Sequence, residues 1–80
     1  MAQWVIEVRD TTGSKLLGYL KDRVPDAAQA SGIIASYTLA VVDNVGEAHH
    51  FPTSHSAEFQ VMSLSQEFTD RSFSKIEVVV

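Results

Sequence analysis

Hydrophobic and polar residues alternate at the start of the chain. Trp4, Ile6 and Val8 fall on one side, and Val5, Glu7 and Arg9 on the other. A period of two predicts a strand with one face in a core, and it places Trp4 in that core. Asp10-Thr11-Thr12-Gly13-Ser14 is a cluster of turn formers. The apolar run resumes through Leu16, Leu17, Tyr19 and Leu20, so Lys15–Lys21 pairs back as the second arm of a β-hairpin. A short helix from Ser14 is the rival reading. Gly18 in its middle counts against it.

Val24-Pro25-Asp26 interrupts the pattern. Asp26 followed three residues later by Gln29 has the form of a capping box, and Pro25 disfavours a helical Val24. These signals predict a helix over 27–36, with Ala27, Ala30 and Ile34 on one stripe. Thr38–Val42 is rich in β-branched residues and reads as a strand. Asp43-Asn44-Val45-Gly46 is a turn, after which Glu47–Phe51 is expected to return as a second hairpin arm. Pro52–Ser56 reads as a loop, with Thr53, Ser54 or Ser56 as N-cap. Ala57, Val61, Leu64 and Phe68 then recur at helical spacing, which favours a second helix over a strand through Phe59 and Val61. Phe73–Val80 ends the chain as a strand.

Val8–Gly13 and Val41–Gly46 share Val, Asp and Gly positions, a faint internal repeat. The predicted plan is ββαββαβ: an α+β fold over residues 1–80, with a small antiparallel sheet of about five strands and one or two helices packed on one face. Eighty residues suit a single domain of modest stability.

Composition narrows the functional classes. The chain has no cysteine, which removes disulfides, thiolate metal sites and a cysteine nucleophile, and leans towards an intracellular protein. The segment Met1–Glu7 has neither the basic region nor the apolar run of a signal peptide, and no stretch approaches a membrane span. The expectation is a soluble, cytoplasmic protein. A net charge of −4 argues against general attraction to phosphate backbones or anionic membranes.

Three clusters carry candidate chemistry. Lys15, Lys21 and Arg23 bracket the second strand, near Tyr19, and define a candidate nucleic-acid face that would stack bases and hold phosphates. His50 and His55, with His49 and nearby carboxylates, form a candidate metal site, since imidazole suits zinc, nickel or copper. Neighbouring histidines on a strand point to opposite faces, so only one of His49 and His50 can join His55. No serine stands in a nucleophile elbow and no carboxylates form an acid–base pair. Gly13-Ser14-Lys15 lacks the other residues of a phosphate loop and reads as a turn. No catalytic residue and no cofactor is expected, and the chain is read as non-enzymatic.

The third cluster is the last strand. Val78-Val79-Val80 is apolar on both faces, which suits an interior strand. At an edge, the same strand, marked by Ile76, Val78 and Val80, would offer backbone groups to another chain, giving a homodimer or β-augmentation of a protein partner. By elimination the sequence reads as a small protein–protein interaction or regulatory module. Inhibitors of host machinery from phages and mobile elements are one class of this size. Nucleic-acid binding is the alternative, metal binding the third reading.

Overall fold

The computed structural model describes residues 2–25 and 37–79. The helix expected over 27–36, and Val80, lie outside the described residues. In chain order the elements are β1 (Ala2–Asp10), β2 (Leu16–Pro25), β3 (Tyr37–Val42), a 3₁₀ turn (Val45–Glu47), α1 (Ser54–Glu67) and β4 (Arg71–Val79). They form a small α+β fold: one antiparallel four-stranded sheet in the order β3-β2-β1-β4, with one helix.

The β1–β2 hairpin forms at the expected turn. Asp10 O accepts from Gly13 N at 2.9 Å, and Asp10 N donates to Lys15 O at 3.0 Å. The Asp10 carboxylate accepts from the Thr12 hydroxyl at 2.9 Å and from Ser14 N at 3.0 Å. Gly13, at φ 77°, supplies the left-handed residue that closes the turn. The hydroxyl donated by Thr12, chiefly, holds the Asp10 carboxyl below its ordinary value; backbone donors add to this and desolvation opposes it.

α1 begins earlier than its apolar pattern. Thr53 is the N-cap, and its hydroxyl accepts from Ser56 N at 3.1 Å. Ala57 and Leu64 are fully buried, and Val61 and Phe68 pack beside the core, so the helical spacing read from the sequence is the face that meets the sheet. The core joins Leu64 to Ile6, Val8, Leu20, Leu39 and Phe73, drawing on all four strands. Lys75 on β4 reaches Ser54 Oγ at 2.8 Å and the Glu58 carboxylate at 3.3 Å, and so ties the edge of the sheet to the helix.

Three expectations are corrected. The first is the count of strands: among the described residues there are four, against about five expected, while the one helix described agrees with the one or two expected. Glu47–Phe51 is not a hairpin arm on β3. Val45–Glu47 winds into a 3₁₀ turn capped by Asn44, whose side chain accepts from Gly46 N at 2.8 Å. The chain then crosses to the far side of β2. His49 N donates to Leu20 O at 3.0 Å, while Phe51 and Trp4 exchange two backbone bonds of 2.7 and 2.9 Å.

The second correction concerns β1. Trp4 is only partly buried, whereas Val5 on the opposite side of the strand is fully buried along with Ile6. β1 is an interior strand with a fully buried side chain on each of its faces, Ile6 on the α1 side and Val5 on the other. The third concerns β4. It occupies an edge of the described sheet instead of the interior position that its doubly apolar end suggested.

Candidate functional site

Two features of the sheet could meet another molecule: a cleft beside β2 and the outer edge of β4. The cleft follows from a divergence of strands. β1 and β2 pair only where Glu7–Arg9 meet Leu16–Tyr19. Beyond that, Lys21 is an extra residue in the β2–β3 ladder, between the pairs Leu20–Val41 and Asp22–Ala40. A bulge bends its strand. His49–Phe51 enters the gap that opens between β2 and β1. The resulting cleft, of about 160 Å³, is lined by Leu20, Lys21, Asp22, Arg23, His49, Phe51 and Gln60. The His49 ring stands edge-on to Phe51 with centroids 4.6 Å apart.

The structure therefore gathers Lys21 and Arg23 at one cleft but leaves Lys15 at the hairpin turn, about 20 Å away along the strand. Arg23 donates to Glu67 at 3.0 Å, and Asp22 lies alongside, so the charge of the cleft is balanced by carboxylates. A volume of about 160 Å³ is below the roughly 300 Å³ of a typical small-molecule site.

The histidines do not converge. His50 Nδ1 lies 2.9 Å from Ala48 O, and His55 is exposed on the first turn of α1. Among the described residues no three histidine or carboxylate side chains are grouped as metal ligands.

The edge of β4 is the more extended feature. β4 pairs with β1 without a break, from Ala2–Val79 to Asp10–Arg71. Trp4 spends its backbone N–H and C=O on Phe51, on the side away from β4. In an antiparallel ladder such orientation alternates, so Gln3, Val5, Glu7 and Arg9 bond across to Val78, Ile76, Ser74 and Ser72. The residues between them, Arg71, Phe73, Lys75, Glu77 and Val79, turn their backbone groups outward.

Ile76 and Val78 thus belong to the edge strand singled out from the sequence, but their own backbone groups point inward to β1. Sequence reasoning named the even-numbered residues and missed the odd-numbered set that faces out. The signal needed was the side of β1 on which Trp4 is bonded, and that depends on Phe51, far along the chain. The outward set is mixed in character. Phe73 is buried on the α1 side, Lys75 is half-buried with its ammonium 5.6 Å from the centre of the Trp4 ring, Glu77 is exposed, and Val79 is 82% exposed.

The chain matches no family model, no curated protein and no solved structure. Among the described residues no helix is long and apolar enough to cross a membrane.

Proposed function

We propose that the protein is a small non-enzymatic interaction module that binds another polypeptide along the outer edge of β4. The observation that carries this reading is the edge itself: nine residues without proline, in full register with β1, presenting an alternate set of backbone donors and acceptors. A strand of this length with no neighbour on one side among the described residues is a template for pairing with another chain. Backbone bonds supply affinity in such strand addition, and side chains on either face supply selectivity. The small, charge-balanced cleft at Lys21 and Arg23 supports the same reading, because it offers neither the volume of a substrate site nor a strong field for phosphates.

Glu77→Pro tests the reading. The Glu77 N–H points outward, so the substitution removes no bond to β1, while the ring blocks an incoming strand. Wild type and variant are used as baits in a host lysate, with and without nuclease, after circular dichroism has shown both folded. A protein partner that survives nuclease and is lost with Glu77→Pro supports the edge. A partner retained by the variant moves the site elsewhere. Capture that vanishes with nuclease favours phosphate binding at Lys21 and Arg23 instead.

A further inference from the structure

We infer that the occupant of the β4 edge is a second copy of this chain, paired antiparallel about a two-fold axis at Ile76. The inference rests on the edge reading above and adds to it the partner and the register.

Geometry restricts the choice. In an antiparallel pair, opposite residues both turn their backbone groups towards the joint or both away from it. A two-fold axis must then pass through a residue of β4 and not between two residues. An axis at Lys75 sets Lys75 against its own counterpart, and an axis at Glu77 does the same for Glu77. Like charges directly opposite are destabilising. An axis at Ser74 leaves Val78 and Val79 overhanging with no partner.

An axis at Ile76 instead places Lys75 opposite Glu77 of the second copy and Glu77 opposite Lys75 of the second copy. Two opposite-charge pairs form at the centre of the joint on the α1 face. Glu77 has no ion-pair partner among the described residues, and Lys75 is held in place by Ser54 and Glu58. The same register sets Val79, 82% exposed in the single chain, against Phe73 of the second copy. On the other face Ile76 meets its counterpart and Ser74 meets Val78 of the second copy.

Because side chains opposite one another lie on the same face, both α1 helices lie on one face of a continuous sheet that joins the four described strands of each copy. The edge is therefore self-complementary in charge, and Val79, the most exposed large apolar side chain among the described residues, lies where the second copy arrives.

Cysteine cross-linking reads the register directly, since the chain has no cysteine of its own. Opposed residues of a pair that is not hydrogen-bonded have Cα atoms about 4.5 Å apart, within disulfide range. Ile76→Cys is expected to give a covalent dimer under mild oxidation. Ser74→Cys is not, because in this register the two copies of position 74 lie about 14 Å apart. Cross-linking at 74 in place of 76, or equally at both, overturns the register.

A second measurement does not depend on Ile76→Cys folding. Sedimentation should show wild type as a dimer, with about a tenfold rise in dissociation constant for Glu77→Lys. Affinity should return in the double swap Lys75→Glu/Glu77→Lys. A wild-type chain that stays monomeric at millimolar concentration, with no cross-link at 76, overturns the second-copy inference. Loss of a different protein partner with Glu77→Pro would then still leave the edge reading standing, so the two failures are distinct.

Discussion

Gly18 lies so close to Val41 that a β-carbon on Gly18 would stand 2.4 Å from Val41 Cγ1 and 2.7 Å from the Val42 carbonyl oxygen. Gly18 also has φ 145°, a conformation that side chains disfavour, and it is paired with Val8 next to Leu17, an extra residue in the β1–β2 ladder. Gly18→Ala is therefore expected to cost about 1–3 kcal/mol through steric displacement of β3. In a chain of this size that lowers the melting temperature by roughly 5–20 °C. A calorimetric scan superposing on wild type would show that the approach of β3 to β2 is not rigid.

Leu64 is the fully buried side chain through which α1 enters the core. Leu64→Ala should lose about 2–5 kcal/mol, because the sheet can only partly close the space left behind. That is a large share of the roughly 4–12 kcal/mol expected of a domain this long. Urea unfolding measures it from the midpoint at unchanged slope. A loss below about 1 kcal/mol would mean that α1 is held chiefly by its cap and by the Lys75 and Arg23 contacts.

Asp10 makes stability depend on pH at the acid end. Its folded carboxyl titrates below the ordinary 3.8, chiefly through the Thr12 hydroxyl. A depressed carboxyl stabilises the fold fully above its unfolded value and loses that contribution as pH falls through the folded one. The gap in melting temperature between wild type and Asp10→Ala should be constant from neutrality down to about pH 5. It should narrow as pH falls below the ordinary carboxyl value. A gap that is the same at pH 2 and pH 7 would show that the Asp10 contribution is not one of charge.

Truncation after Lys75 removes Ile76–Val80 and with it the four ladder partners of Ala2–Val5. Half of β1 would then lack its neighbour on one side, and cooperative unfolding should disappear from a circular dichroism melt. An unchanged thermal transition would make the second half of β4 peripheral to the fold.

The elements were legible where the physics is local. The spacing of Ala57, Val61, Leu64 and Phe68 reports α1 because one stripe of a helix meets one sheet. The β1–β2 turn is written in Asp10, Thr12 and Gly13, whose side chains and backbone close it without help from elsewhere. The path of His49–Phe51 was not legible, since it depends on the bulge at Lys21 opening a gap between strands that are distant in sequence from it. The place of β4 was misread for a related reason. Ile76, Val78 and Val79 look like an interior strand, but whether a strand lies inside a sheet or at its edge depends on which distant strands pair with it, and no local pattern encodes that. The candidate site shared this fate: of Lys15, Lys21 and Arg23, read as one cluster, only Lys21 and Arg23 meet at the cleft, and the outward set of β4 needed the pairing of Trp4 with Phe51.

That pairing also orders events in time. The β1–β2 hairpin can close from neighbouring residues, but Trp4 cannot complete its ladder until Phe51 arrives, more than half the chain later. Contacts between positions so far apart carry the entropy of closing a long loop, and they slow folding. Trp4 is also the chain's single tryptophan. Its fluorescence will therefore follow the last closure of the sheet, while amide protection at Gly18 follows the first, and a stopped-flow record of the two would separate nucleation from locking.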